Sequence, residues 1–213
     1  PNQVFGNHDN PRLATRFGDG VARAMAVMGL MAPGMNIIYS SEELGLHNLD
    51  IPPEKCMDQL AFRDGQRTPI IWDDSQPNAG FSNAHKEQLW LPINENDLEL
   101  SVVRQQADPL SFLSLYKAAI RMRSELSAIR EGKYESVKTD NHDVLAFVRV
   151  SNDQRALVLV NFKDQTQTVH PDLEFDSGDV VLSSVSVCEH PQTISHGEGV
   201  TLQPNEAVVI LLC

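Results

Sequence analysis

Val21-Ala22-Arg23-Ala24-Met25-Ala26-Val27-Met28-Gly29-Leu30-Met31, followed by Pro33-Gly34 and then Met35-Asn36-Ile37-Ile38-Tyr39, is the stretch that decides the fold class. The first segment is rich in Ala, Met and Leu and reads as a buried helix. Pro33-Gly34 marks its end, since proline cannot continue a helix and glycine commonly follows one. The next run is short and apolar, with β-branched Ile37 and Ile38, the pattern of a strand buried on both faces in a parallel sheet. Upstream, Val4-Phe5 reads as the end of another buried strand, followed by a loop over residues 6–19. Strand, helix, strand is a βαβ unit, so this end of the chain is α/β.

Downstream, residues 40–97 show little periodicity and carry turn signals at Pro52-Pro53, Asp64-Gly65, Pro77-Asn78 and Pro92. A segment this long without regular structure is usually functional. Asp108 and Pro109 offer an N-cap and first-turn pair for a helix, with Phe112, Leu115, Ala119, Met122 and Leu126 at helical spacing and an end near residues 129–132. The character then changes. Residues 144–150, 155–162, 180–187 and 207–212 are β-rich runs separated by turn residues, the pattern of an antiparallel sandwich. The boundary falls near residues 130–133, which divides the chain into 1–131 and 132–213.

The 213 residues are 41% hydrophobic and 22% charged, with a formal net charge of −12. That acidity opposes binding to nucleic acid or an anionic membrane, both of which call for clustered Lys and Arg. No stretch is long and apolar enough to span a bilayer. Cys56, Cys188 and Cys213 are odd in number and lack metal-ligand spacing, which predicts free thiols in a reducing, cytoplasmic compartment. The chain opens on Pro1 with strand-like residues directly behind it, which is the expectation for a piece of a longer protein.

The sharpest local feature is Phe5-Gly6-Asn7-His8-Asp9-Asn10-Pro11-Arg12. It follows an apolar run directly, which puts its polar groups at the C-terminal end of a strand, where α/β barrels carry their active sites. By spacing alone, Asn7-His8-Asp9 fits a hydrogen-bonded turn as well as a reactive loop. Adjacent His8 and Asp9 make a poor metal pair, and no Ser sits in a nucleophile elbow, so neither metal nor serine chemistry is indicated and no cofactor is expected. Phe62-Arg63-Asp64-Gly65-Gln66-Arg67-Thr68-Pro69 reads either as a surface turn flanked by arginines or as a second piece of a site. Glu42-Glu43 fits a solvated loop or a helix cap, and Trp72 and Trp90 fit anchors in a loop core.

Taken together and in order, these segments resemble the α-amylase superfamily of glycoside hydrolases, in its α-glucosidase and oligo-1,6-glucosidase branch. Asn7-His8-Asp9 resembles the Asn-His-Asp motif ending the seventh barrel strand. Tyr39-Ser40-Ser41-Glu42-Glu43-Leu44-Gly45 resembles the segment after the eighth, usually Tyr-x-Gly-Glu-Glu-Leu-Gly, with Ser41 in place of the usual Gly. Arg63-Asp64-Gly65-Gln66-Arg67-Thr68-Pro69 with Trp72-Asp73 resembles the branch's Arg-Asp-x-x-Arg-Thr-Pro segment. Pro77-Asn78-Ala79-Gly80-Phe81-Ser82 with Trp90-Leu91-Pro92 resembles the loop behind it. Residues 52–60 depart from the pattern, being short where relatives often carry a longer aromatic-rich loop.

The resemblance implies the C-terminal portion of a (β/α)8 TIM barrel, from the end of strand 7 to helix 8, followed by an antiparallel β-sandwich domain. It implies a retaining α-glucosidase acting on an oligosaccharide or α-glucoside, with nucleophile and acid/base on barrel residues upstream of this chain, so that the 213 residues alone are inactive. Asp9 would be the third carboxylate, stabilising the transition state. His8 would bind sugar hydroxyls, Arg63 would anchor the non-reducing glucose, and Arg12 would line the entrance or hold the loop. The same motifs suit an isomerising or transglycosylating relative such as a sucrose isomerase or trehalose synthase. They also suit, less well, a non-catalytic scaffold like the amino-acid-transporter heavy-chain ectodomains.

Overall fold

The computed structural model describes residues 1–59, 62–188 and 192–213. In chain order, the elements begin with β1 (Asn2–Val4), α1 (Leu13–Phe17), α2 (Asp19–Met31) and β2 (Met35–Ile37). A series of short 3-10 turns lies between residues 42 and 100, ahead of α3 (Val102–Ala107), α4 (Phe112–Glu125) and α5 (Ser127–Arg130). The strands that follow are β3 (Lys133–Ser136), β4 (Val144–Val150), β5 (Arg155–Asn161), β6 (Gln167–Val169), β7 (Ser177–Ser183), β8 (Thr193–Ser195), β9 (Val200–Leu202) and β10 (Ala207–Leu212). The chain forms two compact units: Pro1–Gln3, Gly20–Asn36 and Leu115–Cys213 make one, and Val4–Asp19 with Ile37–Ser114 make the other.

In the first unit, six strands form an antiparallel sheet in the order β3-β4-β5-β10-β7-β8, and β6-β9 form a second, smaller sheet. Val169, Val200 and Leu202 from the small sheet share one apolar core with Leu157, Leu159 and Ile210 from the large one. That is a two-layer sandwich, since alternate strand residues point to one face and both inner faces are apolar. The runs expected at 144–150 and 207–212 are strands over those residues. The short β3, β6, β8 and β9 carry too few apolar residues to announce themselves.

The end of α2 is held by two arginines from later in the chain. The last carbonyls of a helix have no intrahelical donor. Arg123 donates to the carbonyls of Leu30, Ala32 and Gly34. The buried Arg149 donates to Met31 O at 2.7 Å and to Gly132 O at 2.8 Å. Gly34 is at φ +96°, and a Cβ there would run into the Pro1 carbonyl, so the turn out of α2 needs glycine.

β1 and β2 pair as a two-stranded sheet, but they are not buried on both faces as their composition predicts. Val4, Met35 and Ile37 are all exposed. Burial of a parallel-type strand comes from flanking strands and covering helices, and among the described residues these two strands pair only with each other.

The second unit gives the aperiodic segment its own centre: Leu44, Leu46, Ile71 and Ala79, with Ile70 and Ile93 against them. Two expectations change here. The cap of α4 is Ser111, whose Oγ accepts from Ser114 N at 3.1 Å, and not Asp108. Asp108 closes α3 and folds back on Leu110 N at 2.8 Å, an Asx turn that competes with capping. Trp72 and Trp90 are exposed, while their neighbours Ile71 and Leu91 take the buried positions.

Candidate active site

The loop after β1 is built around Asn7. Its Oδ1 accepts from Asp9 N at 2.8 Å and from Asn10 N and Asn10 Nδ2, both at 3.1 Å, which folds the backbone and leaves the His8 and Asp9 side chains outward. Gly6 permits close approach of the chain: a Cβ there would lie 2.8 Å from Glu42 Oε2. Glu42 in turn accepts from Tyr39 N at 3.1 Å, so this carboxylate ties the turn after β2 and would have to shift to admit a side chain at residue 6.

Ser41 stands where the motif's glycine is expected, and the turn is nevertheless the left-handed one a glycine would make. Its φ is +68° and ψ is 8°, and it is fully buried. Its Oγ has no hydrogen-bond partner among the described residues. Its carbonyl accepts from Leu44 N and Leu46 N at 3.2 and 3.3 Å, which locks the conformation in place.

Asp9 is the meeting point of the two motifs. Arg63 Nη1 donates to Asp9 Oδ1 although the residues are 54 apart in sequence. Arg67 Nη2 lies 3.6 Å from the same oxygen, and His8 Nε2 lies 3.4 Å from it. Arg67 also donates from Nε to His8 O at 3.0 Å, holding the backbone of the loop. Behind them stand two more carboxylates. Asp58 Oδ2 accepts from Arg63 Nε at 2.6 Å and lies 3.3 Å from Arg67 Nη1. Asp64, fully buried, lies 3.5 Å from Arg67 Nη1. Burial works to raise the Asp64 carboxyl, but hydrogen bonds from Asp58 N, the Cys56 thiol and Met57 N, with the Arg67 charge, together hold it below the ordinary value. The Arg63 guanidinium is pushed up, chiefly by its hydrogen bond to Asp58.

Arg12 is not part of this exposed cluster. It is only 4% exposed and donates to Ser40 O at 2.7 Å and Thr68 O at 3.3 Å, with its guanidinium 5.5 Å from the Tyr39 ring centre. Burial pulls its pKa down, and Tyr39, Asp97, Glu43 and Glu42 oppose that shift. Its backbone N donates to Asn48 Oδ1 at 2.8 Å, and Asn48 Nδ2 donates to Gln66 Oε1 at 3.3 Å. Arg12 thus ties the residues after β2 to the end of the Arg63–Pro69 segment. Thr68 carries the carbonyl it holds there.

Residues 1–132 match the family described as the α-amylase catalytic domain. The chain belongs to the α-amylase catalytic-domain family. The rest of this α-amylase-family chain, residues 134–209, matches the maltogenic amylase C-terminal domain. It is 34% identical over 228 residues to Maltase 1 of Drosophila virilis, covering 99% of this chain and 35% of that protein. It is 28% identical over 237 residues to the oligo-1,6-glucosidase of Parageobacillus thermoglucosidasius, covering 95% and 41%. Among solved structures, the trehalulose synthase of Pseudomonas mesoacidophila is similar with a TM-score of 0.82 at 28% identity, over all of this chain and 43% of that one. The isomaltulose synthase of a Klebsiella species gives 0.79 at 26% identity, over 100% and 43%. The chain therefore spans less than half the length of these relatives. Its fold class is the C-terminal portion of a (β/α)8 barrel followed by an antiparallel β domain.

Within this α-amylase-family chain the residues to which sequence reading gives no role are Asp58, Gln66, Asn48 and Tyr39. None has a spacing signal of its own. Gln66 Nε2 reaches His8 O at 3.4 Å and Tyr39 Oη donates to Gln66 O at 3.1 Å, contacts that exist only once distant loops are packed. The departing segment 52–60 is described up to Gln59; Leu60 lies outside the described residues. No described helix is long and apolar enough to cross a membrane.

Proposed function

We propose that this chain supplies the sugar-gripping part of the active site of a retaining α-glucosidase that releases terminal α-linked glucose from oligosaccharides. The observation that carries this reading is the pairing of Asp9 with Arg63, which brings two far-apart motifs to one exposed point. A retaining glycosidase needs a carboxylate nucleophile and a carboxylic acid that protonates the leaving oxygen. In this reading both belong to barrel residues outside the chain, which are its essential partner, and the 213 residues alone are inactive. Asp9 is a third carboxylate. It accepts hydrogen bonds from the sugar 2-OH and 3-OH and offsets the positive charge that develops on the ring in the transition state. His8 donates to hydroxyls of the same sugar, and the planar fork of Arg63 grips the non-reducing end. Arg12, buried beneath, holds the two loops that carry them.

The domain boundary at 131/132 is part of the same proposal, and it is supported by family matches that end at residue 132 and begin again at 134. A cytoplasmic location is supported by three cysteines that are all free.

The test is made on the full-length protein with an aryl α-glucoside. Asp9→Asn should cut turnover by about 10²-fold or more, the scale of losing one preorganised electrostatic stabiliser. Turnover near the unmodified rate would overturn the role. The structural similarity to trehalulose and isomaltulose synthases favours one second reading, an enzyme that isomerises sucrose. Products formed from maltose, isomaltose and sucrose separate the two: glucose release supports hydrolysis, and a rearranged disaccharide from sucrose supports isomerisation.

A further inference from the structure

We infer that Asp58 is a positioning residue: it pins one side of the Arg63 guanidinium so that the opposite nitrogen is aimed at Asp9 and the sugar held there. The inference rests on the reading of Asp9 and Arg63 as the sugar-gripping pair.

Arg63 is braced at both ends. Its Nε donates to Asp58 Oδ2 at 2.6 Å, and its Nη1 donates to Asp9 Oδ1. A free arginine side chain carries about 2 kcal/mol of rotamer entropy, so a fork fixed at Nε is already oriented when substrate arrives. Asp58 is itself fixed from behind. Its backbone N donates to Asp64 Oδ2 at 3.1 Å, and that oxygen also accepts from Met57 N at 2.6 Å and from the Cys56 thiol at 3.2 Å. Asp64 is fully buried, so residues 56–58 hang from an immobile carboxylate.

The result is an alternating row from interior to surface: Asp64, Arg67, Asp58, Arg63, Asp9. Side-chain exposure is 0% at Asp64, 17% at Arg67 and 12% at Asp58, and rises only at the outer end, to 35% at Arg63 and 47% at Asp9. Asp58 is therefore a poor sugar ligand and a good brace. Its carboxylate is largely covered, and Oδ2 already serves two guanidinium groups. It also lies in the segment 52–60 that departs from the pattern of the resembled family.

The test is a double-mutant cycle on the full-length protein with an aryl α-glucoside. Asp58→Ala should lower kcat/KM about 10- to 100-fold, with most of the change in KM, because a misaimed grip is lost in ground and transition states alike. Asp58→Asn keeps an acceptor for Nε and should recover part of the loss. In an Arg63→Ala background, Asp58→Ala should cost less than about 2-fold, since the sugar-gripping fork is already gone and only the contact with Arg67 remains to be lost. Should the two losses multiply instead, or should Asp58→Ala be silent while Arg63→Ala is damaging, the inference is wrong. If Arg63→Ala and Asp9→Asn both retain full activity, it is the reading of the site that fails, whatever Asp58 does. If Asp58→Ala does not fold, the same cycle run with Asp58→Asn gives the same comparison.

Discussion

Replacing Ser41 by glycine should stabilise the protein, and the size of the gain can be worked from three terms. Ser41 holds a left-handed backbone at φ +68°, ψ 8°. For a residue with a Cβ this conformation costs roughly 1 kcal/mol, from contact of Cβ with the following carbonyl. Its hydroxyl is fully buried and unpartnered among the described residues, a desolvation cost of about 1 to 3 kcal/mol. Glycine removes both terms but has more freedom to lose on folding, which takes back roughly 0.5 to 1 kcal/mol. The net expectation is a gain of about 1 to 3.5 kcal/mol, or a melting temperature higher by ~2 to 14 °C for a chain of this size.

Ser41→Ala separates the terms, since it removes the hydroxyl and keeps the backbone strain. It should recover the desolvation part only. Urea and thermal unfolding of the two variants beside the parent provide the measurement. The expected order of stability is glycine, then alanine, then serine. Both variants melting at or below the parent would refute the account of strain and desolvation at this turn. Glycine falling below alanine would refute the strain term alone.

Arg12→Met should destabilise by about 2 to 4 kcal/mol, because the carbonyls of Ser40 and Thr68 lose a buried charged donor; chemical unfolding beside the parent checks it, and unchanged stability would count against the tie. Asp74 is held down to about 2 by hydrogen bonds from Arg104 and Ser101. A folded-state pKa depressed below the unfolded value gives stability that is complete above about pH 4 and is lost as pH falls toward 2. Asp74→Asn should therefore flatten the acid limb of stability between about pH 5 and 2, read by urea unfolding across that range, and an unchanged slope would count against the pairing.

The same separation of local from long-range causes explains what was legible in the residues. α2 and the strands β4 and β10 were readable because period and composition are local: Ala22, Ala26 and Leu30 lie on one helix face, and Val208 and Ile210 on one strand face. The Asp9 and Arg63 motifs were readable through family resemblance, which carries packing information that a single sequence does not show. Other expectations gave way to competition between neighbours. Asp108 and Ser111 are both good caps, and which one caps α4 depends on where α3 ends. Trp72 looked like a core anchor, but the neighbouring Ile71 took the buried position.

The sequence alone determined the class of each half and the position of the loop after β1. Each of those depends on residues within a dozen positions of one another. Only the tertiary structure decided that Arg12 is an interior tie, that Ser41 keeps a glycine's conformation, and that Arg63 reaches Asp9 from a brace on Asp58. Those facts depend on residues that approach only after the chain has folded, and contact across 54 residues leaves no periodicity to read.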